Sequence, residues 1–411
     1  MKKIAIIGAG QSGVQLSLGL LKEGYHVTLV SDRSAESIYS GKIMSSQCMF
    51  SNALQIERDM QLNLWEKECP TVDGITLTIG GESNKIDLQW TSRLDKYAQA
   101  VDQRLKIHGW LNLFKKIGGN LLLQKADIRL LESLVKSYDL VIVAIGKDQI
   151  SKLFERDNEK SVYTTPQRSL AASYVKNMLF EDEYNPVRFN IAPGIGEYIT
   201  YSGLTTNGPC SMMVFEGIPG GPMDCWKDIK TPEQHLQKSK AILEQWFPWE
   251  AERCKNIQLT DDNAIIAGSF TPEVRKPIGR LPSGAVVLGM ADAIVLNDPL
   301  TGQGANNACK CADIYLENIL SNGDNKFDDK WMQETFNKYW DYAQWVTGWT
   351  NAMLQPPHPH VQKILGAAAE IPEVAKTFVN AFDNPPDFFP WIAVPEEAEK
   401  FIEQKMSEIT A

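Results

Sequence analysis

The sequence predicts an α/β fold in which a Rossmann-like layer carries an inserted antiparallel β-sheet and is followed by a helical C-terminal region. Three observations predict it. A short apolar run, Lys3–Ile7, leads into Gly8-Ala9-Gly10-Gln11-Ser12-Gly13, after which Val14, Leu18 and Leu21 recur at helical spacing up to Gly24. Residues 187–214 change to alternating, β-branched segments with turn signals at 193–196 and at Asn207-Gly208-Pro209. Beyond residue 326 the chain is helical and aromatic, with Trp331, Trp340, Trp345 and Trp349, and is broken at Pro356-Pro357 and Pro385-Pro386.

The remaining elements follow in order. Residues 27–30 form a second strand ending in Ser31-Asp32-Arg33, which completes a βαβ start. Leu94, Ala98, Val101, Leu105 and Trp110 recur with a helical period over 94–114, and Gly118-Gly119 stops that helix. Strands at 121–123 and 140–144, the second closing on Gly146, continue the α/β layer. Thr231-Pro232-Glu233-Gln234 has a Thr N-cap, Pro at the first helical position and Gln two residues on, so a helix runs from there to Trp246. Residues 284–293 read as a buried strand with an acid at its end, and 298–308 as a glycine-rich turn that opens a helix to Leu320.

Composition narrows the functional classes. The chain has 411 residues, 43% of them hydrophobic, enough for two or three domains. Its formal charge of −10 works against a phosphate-tracking surface, so nucleic acid is not an expected partner. The seven cysteines are scattered without metal-ligand spacing, and read as thiols in a reducing compartment. No run of apolar residues reaches membrane-spanning length, and a cytoplasmic protein is expected.

The glycine turn has a physical task. Gly8 makes the tight turn, Gly10 lets backbone approach a pyrophosphate, and Gly13 permits close helix packing. The helix beginning near Ser12 offers free N–H groups and a positive dipole end to phosphates. Gln11 lies in the same turn, and Asp32, next to Arg33, stands where an acid holds an adenosine ribose. A dinucleotide is therefore expected, and residue 300 separates FAD from NAD. There a strand ends in Asp292, and Pro299, Gly302, Gln303, Gly304, Ala305 and Asn306 open a helix, which suits a ribityl chain and the polar edge of a flavin.

The ordered set GAGQSG, the acid after the second strand, Ala100-Val101-Asp102-Gln103-Arg104, VIVAIGK, GMADA and DPLTGQGAN resembles FAD-dependent aromatic hydroxylases of the glutathione-reductase-like fold. More narrowly, it resembles the oxygenase component of two-component styrene and indole monooxygenases. The likeness covers nearly the whole chain, including Pro166-Gln167-Arg168 and Gly348-Trp349-Thr350-Asn351; one departure is Ala291 where a glycine usually precedes the ribityl-site acid. The resemblance implies an FAD-binding domain over 1–165 and 265–325, with pocket segments at 45–100, a β-sheet substrate domain over 166–264 and a C-terminal helical region over 326–411. It adds Arg104 to the cofactor-binding set. It also implies that an NAD(P)H-dependent flavin reductase supplies reduced FAD, which with O2 forms a C4a-(hydro)peroxyflavin and transfers oxygen to an electron-rich double bond.

Oxygen transfer of that kind needs no protein base, and no catalytic triad or metal cluster is evident; the five histidines are dispersed. The pocket is expected to be poor in bases, with no catalytic side chain. Within the family, Ser45, Gln47 and Met49, then Val72, Ile75 and Ala98, resemble the indole branch rather than the styrene branch. The implied activity is epoxidation of indole across C2 and C3, leading through indoxyl to indigo, with styrene-like alkenes and sulfides as further substrates. If Ser45–Phe50 is extended, Ser45, Gln47 and Met49 share one face, which is expected to be the substrate wall, with Gln47 or Ser45 accepting the indole N–H. A styrene epoxidase, a single-component hydroxylase or a halogenase-like flavoenzyme are the enzymatic alternatives, and a flavin carrier without turnover is the non-enzymatic one.

Overall fold

The computed structural model describes residues 2–146, 149–180 and 183–410. Lys147, the last residue of the VIVAIGK motif, lies outside them. The first sheet has the order β14-β15-β6-β1-β2-β5. Its strands are β1 (Lys3–Ile7), β2 (His26–Ser31), β5 (Asn120–Leu123), β6 (Leu140–Val143), β14 (Ile278–Arg280) and β15 (Val286–Gly289). All neighbours pair parallel except β14 with β15. β1 and β6 read as unbroken apolar runs because helices cover both faces of a parallel sheet. Their side chains pack with Val14, Leu18, Trp110 and Tyr315 in one core.

The second sheet has eight strands, ordered β11-β7-β10-β9-β8-β3-β4, with β12 also on β7. These are β3 (Thr71–Gly80), β4 (Ile86–Gln99), β7 (Ser169–Lys176), β8 (Pro186–Ala192), β9 (Gly196–Thr205), β10 (Gly208–Gly217), β11 (Gln258–Leu259) and β12 (Ile265–Gly268). A two-stranded ladder joins β13 (Glu273–Val274) to β16 (Val295–Leu296). The second sheet thus reaches outside 166–264, because the hairpin β3–β4 docks on β8 through parallel pairing of Gly74–Ile79 with Pro186–Ile191.

That pairing corrects the helix expected from residue 94. Leu94 and Ala98 lie in β4, and the helix begins at Gln103, N-capped by Asp102, whose side chain accepts the Arg104 N–H at 2.8 Å. A spacing of four fits both periods, and cross-strand partners such as Val72 opposite Ala98 decide for the strand. Elsewhere the local signals hold. Thr231 and Gln234 form a reciprocal capping box at the start of Pro232–Trp246.

One face of the second sheet packs on helix Pro232–Trp246 through Tyr198, Met213 and Phe215. The other packs on the C-terminal helices through Trp90, Trp349, Phe378 and Phe388. Trp90 also donates its indole N–H to Leu365 O at 3.0 Å. This second face carries the site.

Candidate active site

The N-terminal turn has the form expected of a phosphate cradle. Gly8 has φ +115°, and a Cβ at Gly13 would lie 2.0 Å from Gly8 O, so neither position tolerates a side chain. A Cβ at Gly10 would meet nothing within 4 Å; the turn faces open space at the start of helix Gln11–Lys22. No side chain caps that helix N-terminus and no acid occupies its first turn, so its N–H groups and dipole end remain available to an anion.

Helix Gly304–Ser321 starts in the same way. Gly302 has φ +66°, a Cβ at Gly304 would meet nothing within 4 Å, and no side chain caps the first turn. The two starts adjoin, since Gln11 Nε2 reaches Ala305 O at 3.4 Å. Asp32 is exposed at the end of β2, 3.6 Å from Arg33. Asp292 is exposed where β15 gives way to Ala291–Ala293, and its Cβ closes on Gly146 at the end of β6. Two uncapped helix starts, two open glycine turns and two exposed strand-end acids fit a flavin dinucleotide.

Four side chains assigned to the cofactor have partners elsewhere in the chain. Arg104 is 2% exposed and donates to Asp102, to both oxygens of Asp261 at 3.0 Å and to Gly41 O, so its guanidinium ties three segments together and has no donor left for a cofactor. Asn306 spends its amide on the Ser45–Phe50 segment: Nδ2 donates to Cys48 O at 2.9 Å and Oδ1 accepts Phe50 N–H at 2.8 Å. Gln303 Nε2 donates to Phe382 O at 2.9 Å, which joins this helix start to the C-terminal region. Gln11 accepts from Gln103 Nε2 at 2.7 Å and donates toward Glu57 at 3.3 Å, whereas Ser12, buried beside it, remains part of the cradle.

A cavity of about 30 Å³ lies between the 299–302 turn and the second sheet. Ser46, Cys48 and Phe50 form one wall. Val187, Phe189, Ile199, Tyr201, Val214 and Glu216 form the other, from β8, β9 and β10. Phe382 packs behind both, 5.8 Å from Phe50 and 5.6 Å from Phe189, and Trp349 meets Phe382 edge-on at 4.8 Å. Trp345, by contrast, is at the surface.

The cavity wall is the alternate face of the segment from the one expected. Gln47 donates to Val101 O. Ser45 is exposed and donates to Gln47 Oε1 at 3.1 Å. Met49 Sδ accepts from Gln11 at 3.2 Å and from Lys106 at 3.0 Å. Met49 thus turns toward the N-terminal cradle and Gln47 toward Val101, and successive side chains of an extended segment point opposite ways, so Ser46, Cys48 and Phe50 turn to the sheet. Val72, Ile75 and Ala98 are fully buried in the apolar cluster that includes Cys48, Phe50 and Val187, behind the cavity surface rather than on it.

A carboxyl cluster that the sequence reading missed closes one end of the cavity. Glu216 and Glu197 stand directly opposite each other on β10 and β9. Arg168 forks onto Glu197, with Nε to Oε2 at 2.7 Å and Nη2 to Oε1 at 2.8 Å. Among the described residues no hydrogen-bond donor reaches either oxygen of Glu216, which is 0% exposed. Burial raises its pKa well above the usual carboxylate range, and Asp298 and Glu197 push the same way against Arg168. Asp298, which caps Leu300 N–H at 3.2 Å, is raised to about 6, chiefly by burial. The pocket expected to be poor in bases thus contains one buried carboxyl, Glu216, whose pKa burial raises. The signal was legible: Glu216 is the one charged residue in the apolar strand GPCSMMVFEG. Among the described residues no cluster of ligating side chains suits a metal, and no helix is long and apolar enough to cross a membrane.

Residues 146–253 match the family described as "Styrene monooxygenase A putative substrate binding domain". The chain is similar over 100% of both lengths to the styrene monooxygenases StyA of Pseudomonas fluorescens, 27% identical, and of a Pseudomonas species, 28% identical. Among solved structures its fold is similar to that of the flavin-dependent brominase Bmp2, with a TM-score of 0.64 at 14% identity over 99% of each chain. By sequence over its whole length the chain is StyA-like, and it is an enzyme, a flavin-dependent monooxygenase.

Proposed function

We propose that the protein is the FAD-dependent oxygenase component of a two-component system that epoxidises indole at C2–C3. The observation that carries this reading is the cavity between the 299–302 turn and the sheet, apolar apart from a few polar groups and walled by Ser46, Cys48 and Phe50. The N–H groups of Gly10 to Gly13 would hold the pyrophosphate, Asp32 the adenosine ribose and Asp292 the ribityl chain. The turn from Pro299 through Gly304 and Ala305 would border the flavin ring. When bound and reduced by a partner NAD(P)H-dependent flavin reductase, FAD with O2 supplies the electrophilic oxygen.

The chain's own residues then bind, orient and exclude water. Phe50, Phe189 and Ile199 offer a flat ring apolar contact on both faces, and Phe382 backs them. At about 30 Å³ the cavity is smaller than ligand pockets usually are, so its aromatic walls part when a bicyclic substrate enters. Asn306 fixes the wall by gripping Cys48 O and Phe50 N–H. Ser45, Gln47 and Met49 border the cradle side and shape the cofactor's surroundings.

Purified protein given FAD, NADH, a flavin reductase and indole is expected to form indole oxidation products and, in air, blue pigment. Styrene supplied alone is expected to be oxidised more slowly. If the protein binds FAD and consumes O2 with styrene but leaves indole unchanged, the indole assignment fails; if neither substrate is oxidised, the epoxidase assignment fails.

A further inference from the structure

The cavity contains a buried acceptor with nothing to accept. Glu216 lies on the face of β10 that also presents Val214 to the cavity, and β9 adds Ile199 and Tyr201 to the same surface. The nearby cation is turned elsewhere: Arg168 forks onto Glu197, its Nη1 donates to Gln167 O at 2.9 Å and Leu354 O at 3.5 Å, and none of its N–H groups reaches Glu216. Asp298 is the neighbouring carboxyl. Two buried carboxyls side by side keep a proton between them, because both cannot ionise in a low-dielectric site. A Glu216 carboxyl that shared a proton with Asp298 would still keep one oxygen free to accept in the cavity it lines. A buried acceptor without a donor is costly and rare in a native protein, and a ligand N–H removes that cost.

We propose that Glu216 contacts the substrate and sets its specificity: its carboxyl oxygen accepts the ring N–H of an indole-type substrate and so ranks N–H heteroaromatics above hydrocarbon alkenes of the same shape. This rests on the epoxidase reading above and answers which side chain meets the N–H. Gln47 Oε1 accepts from Ser45, and neither residue lines the cavity, so the acceptor comes from the sheet.

The test uses the full-length, FAD-reconstituted enzyme and equilibrium binding of indole against indene, which replaces N–H by CH2 in the same bicycle. Wild type is expected to bind indole about five- to tenfold more tightly, the worth of one net hydrogen bond. Glu216→Leu should bring the two within about twofold. Glu216→Gln should keep the preference, because its amide can donate to Asp298 and still present a carbonyl oxygen. Should Glu216→Leu fail to fold, infrared difference spectroscopy supplies the second measurement. A protonated-carboxyl C=O band, absent in Glu216→Gln, should shift on adding indole and not indene. An indole preference that survives Glu216→Leu, or a carboxyl band that indole leaves unmoved, overturns the proposal. Wild type that oxidises indole while Glu216→Leu keeps its preference sinks this inference alone; wild type that oxidises no alkene sinks the epoxidase reading itself.

Discussion

Two buried polar clusters flank the Ser45–Phe50 segment, and they differ in charge balance. On the cradle side each fully buried carboxylate has its own cation: Glu57 meets Lys106 at 2.7 Å and Asp102 meets Arg104 at 2.8 Å. On the sheet side three carboxyls, Glu197, Glu216 and Asp298, share the single guanidinium of Arg168. The first arrangement gives each carboxylate a cation, although Glu57 Oε2 has no donor among the described residues, and it ties together helices, strands and the Ser45–Phe50 segment. The second is short of a donor and faces a cavity. Balance marks structure, and a deficit aimed into a cavity marks a place for a ligand.

The largest effect is expected on the balanced side. Lys106→Met should cost about 3–5 kcal/mol in denaturant melts, because Glu57 is left buried without its cation. Lys106→Met combined with Glu57→Leu should recover most of that loss. A single variant as stable as wild type would show that the pair is not what holds this side together.

Burial raises the carboxyl pKa values on both sides, Glu57 and Asp102 included, but on the deficient side no cation of its own opposes the shift. A carboxyl whose folded pKa is raised costs stability as pH rises, since the unfolded chain ionises first. For Asp298, raised to about 6, the loss accumulates between roughly pH 4 and 6 and then levels off. Asp298→Asn should therefore gain on wild type over that window, by on the order of 3 kcal/mol, and gain little above it. Glu216→Gln should likewise gain on wild type as pH rises, because burial raises the Glu216 pKa in the same direction. Melts at pH 4.5, 6 and 7.5 check both; parallel pH profiles for wild type and the two variants would erase the distinction between the clusters.

The smallest effect is expected where no charge is involved. Ala291 has φ +49°, a left-handed backbone that strains a Cβ, so Ala291→Gly should raise stability by up to about 1 kcal/mol, offset in part by the entropy of glycine in the unfolded chain. A loss of stability there would mean that the Ala291 methyl packs for more than its backbone costs.

Much of this was legible in the sequence. Local chemistry dictates the glycine turn, the capping box and the apolar runs of β1 and β6, and each formed at or near the expected place. The α/β class, with its mainly antiparallel second sheet and helical C-terminal region, followed from changes of period. What failed depended on partners distant in sequence. Leu94 and Ala98 joined β4 only because β3 and then β8 paired alongside. The donor set of Arg104 was claimed by Asp261, far along the chain. Residues 168, 197, 216 and 298 become neighbours only after the second sheet meets the 299–302 turn, so no spacing rule could gather them. The face of Ser45–Phe50 also could not be read, since alternation fixes which residues go together and not which set goes in.

Asn306 makes that last point consequential. By bonding Cys48 O and Phe50 N–H it holds a strand-like segment in one frame, and the Met49–Gln99 bridge locks the same frame from the other side. A one-residue insertion or deletion before Ser45 that let the segment slide would exchange a wall of serine, cysteine and phenylalanine for one of serine, glutamine and methionine in a single step. The lining of this cavity is thus stored as a reading frame, and Asn306 is the residue that keeps it.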